Sequence, residues 1–301
     1  MENKYPVVCF GEILWDILPH TTVPGGAPMN VAYHLRKLGL QPALISRVGL
    51  DNYGKRLIQL MEKQDISTEF FQMDFELDTG KVRMSHGEGD DNHYDIVQPV
   101  AWDNIQWDDQ FVPLLHDSHY FIFGSLSTRS AASRAVLYRL LELARFRVLD
   151  INLRPPHYNR AILETLLTGL GLLKLNLAEL ELLTGWFADY RLETDRVRAL
   201  QDKFRIPAIV VTKGSQGALM TMDGAIYQHP GFTVDVADTV GSGDAFLAGM
   251  LYSLAQGVSP PVAIEFASAM GALIASYSGS CPEYAVTEVN RLIAGGRQPN
   301  H

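Results

Sequence analysis

The chain has 301 residues, of which 47% are apolar and 20% are charged, a balance typical of a soluble globular protein with a large core. Its net charge of −9 at pH 7 disfavours a nucleic-acid partner or an anionic membrane surface. The sequence contains no apolar run long enough for a spanning helix, no signal-peptide pattern and only two cysteines, so we expect a cytoplasmic protein without a disulfide framework.

Strand-like apolar runs alternate with helical periods along most of the chain. The runs with strand character are residues 7–10, 43–48, 120–123, 148–151, 172–175 and 209–212. Apolar residues at helical spacing mark 29–38, 131–144, 161–167, 197–204, 245–255 and 261–276. This alternation predicts an α/β fold, a mostly parallel sheet with helices on both faces, in which ligands bind beyond the carboxyl ends of the strands. Because no segment has linker composition, we expect a single domain over residues 1–301.

Residues 70–107 interrupt the alternation, since they contain no good helical period. Two polar strand-like pieces, 80–85 and 93–100, flank a turn rich in Gly, Asp and Asn, and an earlier short strand can join them. We therefore predict a small β-sheet formed by about 13–24 and 73–103. It is either a lid that closes over a ligand or a structural insertion, and the pattern alone leaves both open.

The most informative segment, DTVGSGD at 238–244, places two glycines at the start of a predicted helix. Backbone amides at a helix start bind anions, and glycine lets a ligand approach closely. Asp244 has two interpretations: an acid that stabilises the helix, or a base that accepts a proton from an attacking hydroxyl during phosphoryl transfer. The segment lacks the Walker A string, and Phe246 stands where the dinucleotide-binding pattern needs glycine, which disfavours a nicotinamide enzyme.

A second glycine pair, Gly25-Gly26, precedes the predicted helix that contains Asn30 and ends at Gly39. Taken alone, this pattern is typical of a turn before a helix. It also suits a polyol site, because glycine admits close backbone approach and the amide of Asn30 both donates and accepts hydrogen bonds.

Together, the two segments resemble the two signatures of the ribokinase-like (PfkB) carbohydrate kinases. GGxPxNxA at 25–32, followed by Gly39 and Gly49, keeps every spacing of the N-terminal signature, and DTxGSGDxxxAG at 238–249 resembles the C-terminal one. The resemblance covers essentially the whole chain. It implies a Rossmann-like domain of the ribokinase type with a small β-sheet lid, and the transfer of phosphate from ATP, with Mg²⁺, to a sugar hydroxyl.

Within the family, the string FGEILWDILP at 10–19 and the motif Asp150-x-Asn152-x-Arg154 are most similar to fructokinases. This implies D-fructose, phosphorylated on its terminal hydroxyl, as the acceptor. Ribokinase, 2-keto-3-deoxygluconate kinase and nucleoside kinase activities stay open. So does a different class, a non-catalytic sugar-binding regulator, although Asp244 argues against it because a binding protein needs no base.

The resemblance also implies a role for each matching residue. Asp244 matches the catalytic base, and the anion hole matches Gly241, Ser242 and Gly243. The implied sugar contacts are Asp16, Gly25, Gly26, Asn30 and Arg154. The implied ATP contacts are Asn176, Glu179, Thr212, Gly214, Gly217 and Ser268. Glu179 would also help to organise Mg²⁺ indirectly.

Two further expectations concern ions and partners. Relatives often bind a monovalent cation through main-chain carbonyls near the anion hole, which would place K⁺ beside Asp238 and Val240. A small sugar and ATP are the expected partners, and the exposed edges of a small sheet would allow a homodimer through the lid.

Overall fold

The computed structural model of the protein describes residues 4–86 and 92–296. The chain divides into two compact units, Met1–Arg145 and Phe146–His301. Each unit is built on parallel strands with helices packed against them. The single domain expected over residues 1–301 stays a prediction.

In the first unit, helices alternate with the strands of a parallel sheet. Its elements are β1 (Val7–Phe10), β2 (Leu14–Ile17), β3 (Thr22–Gly25), α1 (Ala27–Lys37), β4 (Pro42–Gly49), α2 (Asn52–Lys63), β5 (Phe71–Asp74), β6 (Gly80–His86), β7 (Asn92–Ile96), α3 (Phe111–Asp117), β8 (Tyr120–Gly124) and α4 (Ala131–Leu143). Strands β8, β1, β4 and β5 are parallel neighbours in that order. Every residue of β1 is buried, and because successive side chains point to opposite faces, both faces of the sheet are covered there.

A separate small sheet has the strand order β3, β2, β6, β7. Strand β2 runs antiparallel to β3 and parallel to β6, and β6 with β7 forms the predicted hairpin. The sequence did not indicate β3 because Pro24 and Gly25 resemble a turn, but an edge strand tolerates proline. Residues 73 and 74, expected in the small sheet, lie in β5 and pair with β4. The tip of the hairpin, residues 87–91, lies outside the described residues.

The second unit continues the alternation. Its elements are β9 (Arg147–Asp150), α5 (Arg160–Leu166), β10 (Leu172–Asn176), α6 (Leu177–Gly185), α7 (Glu193–Phe204), β11 (Ala208–Thr212), β12 (Ala218–Met222), β13 (Ala225–His229), α8 (Ser242–Ala255), α9 (Pro260–Ala275) and α10 (Val286–Gly296). Strands β9, β10 and β11 are parallel, and β12 and β13 extend the sheet in antiparallel fashion. The predicted α/β class, a mostly parallel sheet with a separate small sheet, is confirmed. Among the described residues, no helix combines the length and the apolar character that crossing a membrane requires.

One carboxylate joins the small sheet to α2. Asp51 caps α2 by accepting a hydrogen bond from the amide of Gly54 at 2.7 Å. It also accepts from the amide and the hydroxyl of Thr79, at 2.9 and 2.8 Å, immediately before β6 begins. Burial raises the pKa of Asp51, but the hydrogen bonds from Thr79 and Gly54 outweigh burial, so the pKa lies below its ordinary value. The ionised carboxylate therefore holds the root of β6 in place.

We expect Asp51→Asn to lower the free energy of unfolding by about 2 kcal/mol at pH 7, because the variant loses a charged cap and the pairing with Thr79. A carboxyl whose pKa is lowered by folding stabilises the fold above its ordinary pKa, and this contribution is lost as the pH falls toward the lowered value. The difference between variant and natural chain should therefore shrink as the pH falls below about 5, through the ordinary pKa of an aspartate and toward the lowered value.

Urea denaturation at several pH values measures this difference. Asp78→Asn is the matched control, because it removes the same charge from a carboxylate that is 72% exposed, and we expect a change below about 0.5 kcal/mol. A difference for Asp51→Asn that stays constant with pH would contradict the assignment of the ionised form.

Candidate active site

Helix α8 begins at a left-handed turn that glycine adopts without strain. Its N-cap, Gly241, has a φ of 78°, and a methyl group there would lie 2.6 Å from the Cα of Ser280. Ser242 and Gly243 then open the helix. The amides of a first helical turn have no acceptor within the helix, although that of Ser242 donates to the carbonyl of Thr239 at 3.3 Å, and the helix dipole is positive at this end. The turn is therefore suited to bind an anion such as a phosphate group.

Buried charged side chains lie beside this turn. Asp244, the third residue of α8, is 8% exposed. Lys174 on β10 donates to both carboxylate oxygens of Asp150 on β9, at 2.9 and 2.7 Å. A methyl group on Gly243 would lie 2.9 Å from the Nζ of Lys174, so the ammonium lies directly against the turn. Burial lowers the pKa of Lys174, but the attraction of Asp150 and Asp244 outweighs it and the pKa is raised, so the amine is charged.

Six of the predicted anion-hole and ATP-binding residues line one cavity of about 320 Å³. They are Thr212, Gly214, Gly217, Ser242, Gly243 and Ser268. Apolar side chains, among them Val234, Val236 and Phe246, form much of the remaining wall. A cavity with an apolar wall and an anion-binding turn suits a nucleotide, which combines an aromatic base with charged phosphates.

Gly217 shapes the wall of this cavity through a close backbone approach. Its φ is 80°, and a methyl group there would collide with the carbonyl oxygen of His229 and the amide nitrogen of Gly231. The segments 214–217 and 229–231 can approach each other only because this residue has no side chain.

Ser268 places a polar atom in the cavity wall from α9. The residue is 7% exposed, and its Oγ makes no hydrogen bond within the described part of the chain. A buried hydroxyl without a partner is unfavourable for folding, so it is a natural hydrogen-bonding point for a bound ligand.

Asn176 and Glu179 form a reciprocal cap at the start of α6. The side chain of Asn176 accepts from the amide of Glu179 at 2.9 Å, and Glu179 Oε2 accepts from the amide of Asn176 at 2.8 Å. Glu179 Oε1 accepts from the amide of Leu153 at 2.8 Å, which fixes the loop after β9. Burial is the main cause that raises the pKa of Glu179, and the charge of Asp150 adds to it against the opposing amides.

The structure leaves Arg154 apart from this cavity. It is exposed and donates to the carbonyl of Leu153 at 3.1 Å.

Asp238 lies just before the anion-binding turn, where it accepts from the amides of Val240 at 3.0 Å and Gly279 at 3.2 Å. The carboxylate of Asp238 thus joins the segment before α8 to the loop after α9.

The predicted sugar contacts of the first unit also lie together. A methyl group on Gly25 would collide with Oδ2 of Asp16, which lies on the neighbouring strand β2. Gly26, with a φ of 117°, is the N-cap of α1. The backbone amide of the buried Asn30 donates to the carbonyl of Gly26 at 2.9 Å. The carboxylate of Glu12 accepts from Ala27 at 3.2 Å and ties the glycine turn to the end of β1.

Sequence reasoning missed several residues of these sites. The segment between β13 and α8, which lines the cavity with Phe232, Val234 and Val236, contains no helix or strand and carries no motif. Lys174 was also missed, although a lysine inside the apolar run LLKLN is a visible signal of a buried charge.

Comparisons with known proteins identify the family of this chain. Residues 19–285 match the pfkB family of carbohydrate kinases. The chain is 29% identical over 318 residues to probable fructokinase-6, chloroplastic, of Arabidopsis thaliana, covering 95% of this chain and 81% of that protein.

Two solved structures are similar in fold. A fructokinase with bound ATP from Xylella fastidiosa has a TM-score of 0.86 at 24% identity, covering 98% of this chain and 100% of that one. A fructokinase from Vibrio cholerae O395 in fructose, ADP and calcium ion bound form has a TM-score of 0.81 at 22% identity, covering 97% and 100%. These similarities confirm the predicted ribokinase-like fold.

We expect Ser268→Ala to raise the free energy of unfolding by about 1 kcal/mol, because it removes a buried hydroxyl without a partner. The matched control is Ser133→Ala, whose buried hydroxyl donates to the carbonyl of Trp102 at 2.7 Å and accepts from the amide of Ile105 at 2.9 Å. That variant should lose about 2 kcal/mol. Urea denaturation of both variants without ligand is the measurement, and a loss of stability in Ser268→Ala would contradict the assignment.

Proposed function

The chain belongs to the pfkB family of carbohydrate kinases and is therefore a phosphotransferase, and we propose that it transfers the γ-phosphate of MgATP to the terminal hydroxyl of D-fructose. The observation that carries this proposal is the cavity that ends at the first turn of α8, beside the buried Asp244. An anion-binding turn with an adjacent carboxylate supplies the two parts that phosphoryl transfer to an alcohol needs.

The nucleotide would occupy the cavity of the second unit. Its base would lie against the apolar wall, with the hydroxyl of Ser268 as a polar contact, and Thr212, Gly214 and Gly217 would line its path. The amides of the turn 241–243 would then stabilise the negative charge on the transferring phosphate. Asp244 would accept the proton of the attacking hydroxyl, which makes the oxygen nucleophilic as the bond to phosphorus forms.

The sugar would be held by the side chains that meet at β2, β3 and the start of α1. The Asp16 carboxylate accepts hydrogen bonds from neighbouring hydroxyls, and Asn30 can donate and accept. Gly25 and Gly26 leave room for the ring. Fructose as the acceptor is supported by the relative named fructokinase and by the fructose-bound structure of similar fold. We also assign Arg154, an exposed positive group in the loop after β9, to the acceptor.

Mg²⁺ would enter with ATP, and the cap formed by Asn176 and Glu179 fits an indirect role. Each carboxylate oxygen of Glu179 accepts one backbone amide, which leaves capacity for a water molecule. Mg²⁺ usually keeps several waters and is bound mainly through substrate phosphates. When bound, it would neutralise charge on the phosphates.

We further propose that K⁺ binds beside Asp238 and Val240. If it does, turnover should be faster in K⁺ than in tetramethylammonium at equal ionic strength.

The release of ADP tests the proposed reaction. The unchanged chain with MgATP would be assayed with D-fructose, D-ribose, 2-keto-3-deoxygluconate, adenosine and a blank without acceptor. We expect fast release with D-fructose alone. Release with another acceptor would keep the kinase and replace the substrate, whereas sugar binding without any release would favour the non-catalytic regulator.

We expect Asp244→Asn to lower kcat by roughly 10²–10⁴-fold, because an amide cannot accept the proton of the attacking hydroxyl. The dissociation constant for ADP should change less than about threefold, since the amides of the turn are backbone groups. Asp235→Asn, an exposed carboxylate in the segment before α8, is the control for the loss of one charge. Undiminished turnover by Asp244→Asn would overturn its assignment as the base.

We expect Gly217→Ala to raise the KM for ATP by about tenfold, because its methyl group forces segments 214–217 and 229–231 apart. Gly224→Ala is the matched control: its φ is 78°, close to that of Gly217, but a methyl group there meets nothing within 4 Å. Both variants carry the strain of a positive φ, and only the first disturbs the cavity. Equal KM values for the two variants would show that the close approach at Gly217 does not shape the nucleotide site.

A further inference from the structure

Lys174 lies at the point where the elements of the nucleotide site meet. It is directly in register with Asp150 on the neighbouring parallel strand, so the two side chains lie on the same face of the sheet. Its side chain is 9% exposed, and a methyl group on Gly243 would lie 2.9 Å from its Nζ, so the ammonium lies beside the turn. A lysine at a fully buried strand position is costly unless its charge has a use or a partner.

The surroundings of Lys174 differ from those of a purely structural ion pair, in which one cation neutralises one carboxylate. Asp150 on β9 holds the ammonium by two hydrogen bonds, and the charges of Asp150, Asp244 on α8 and Glu179 on α6 raise the pKa of Lys174 against its burial. This group of four carries a net negative charge when all are ionised, at the place where a phosphate would bring more negative charge. Without Lys174, the turn would receive its anion beside three carboxylates and no cation from this group.

We propose that Lys174 is a positioning residue for phosphoryl transfer: its ammonium, held by Asp150 against Gly243, supplies the fixed positive charge under the anion-binding turn. This inference rests on the proposed function and adds a residue to it. The ammonium acts through the turn and not by contact with the nucleotide, since Lys174 is not among the residues that line the cavity.

The physical effect is electrostatic preorganisation. The two hydrogen bonds to Asp150 fix the ammonium before any ligand arrives, so no reorganisation is needed as charge develops on the phosphate. A fixed cation in a site with little water interacts more strongly than one in solvent. Because the charge grows on the transferring group in the transition state, loss of the cation should lower kcat more than it weakens ground-state binding.

Three variants separate this role from that of a counter-ion. Lys174→Met removes the charge at similar volume but leaves Asp150 buried and unpaired. Asp150→Asn keeps the ammonium and removes its anchor. The double variant Lys174→Met with Asp150→Asn removes both charges together, so it avoids an unpaired buried charge and is the variant expected to fold if the first does not.

We expect stability and turnover to rank Asp150→Asn and the double variant in opposite orders. The double variant should recover most of the thermal stability that each single variant loses. Its kcat with D-fructose and MgATP should nevertheless stay about 100-fold below that of the natural chain, the size expected for a lost charge-stabilising group. Asp150→Asn should be less stable than the double variant but turn over at least about tenfold faster, because it retains the cation. KM for the sugar and the dissociation constant for ADP should stay within about threefold.

A double variant whose kcat is within threefold of the natural chain would overturn the proposal, because Lys174 would then serve only to neutralise Asp150. The same holds if Asp150→Asn and the double variant turn over equally slowly. The natural chain in the same assay distinguishes the two levels of the account. Absence of turnover there counts against the proposed function, whereas a fast natural chain with a fast double variant counts against Lys174 alone.

Discussion

The parallel register of β9, β10 and β11 is the constraint on which the second unit depends. It sets Asp150 beside Lys174 and Asn176 beside Thr212, so the charged and polar ends of three strands meet at one edge of the sheet. The carboxyl ends of parallel strands lie at the same edge of the sheet, regardless of which loops follow the strands. The buried ion pair lies beside the turn that opens α8, because the ammonium of Lys174 is next to Gly243.

The chemistry expected of a sugar kinase divides between backbone and side chains in this protein. Backbone groups make the anion-binding turn and the close approach at Gly217, and both depend on glycine at a positive φ or at a contact. Side chains supply what backbone cannot, namely a proton acceptor in Asp244 and a fixed cation in Lys174. Burial gives each of these charges more weight than an exposed one, and it also makes the loss of a partner costly.

The sequence predicted β1, β4, β8, β9, β10 and β11, the hairpin of the small sheet and the glycine turns, because hydrophobic periodicity and local turn chemistry determine these features. It wrongly placed residues 73 and 74 of β5 in the small sheet. It did not indicate β3, since Pro24 and Gly25 have the composition of a turn and only tertiary pairing makes them a strand. The cavity wall at 232–236 and the contact of Lys174 with Gly243 depend on residues far apart in the chain, which no single-sequence pattern relates. Family resemblance, rather than spacing, supplied the roles of Asn176, Glu179 and Ser268.

The central claim is that the phosphoryl group passes from ATP to an alcohol of the sugar. Phosphorus NMR of the protein with MgATP and D-fructose follows the fate of that group directly. We predict that the γ-phosphate resonance declines while ADP and one phosphomonoester resonance grow in equal amounts. Growth of inorganic phosphate in place of the phosphomonoester, or an unchanged ATP spectrum, would contradict the account.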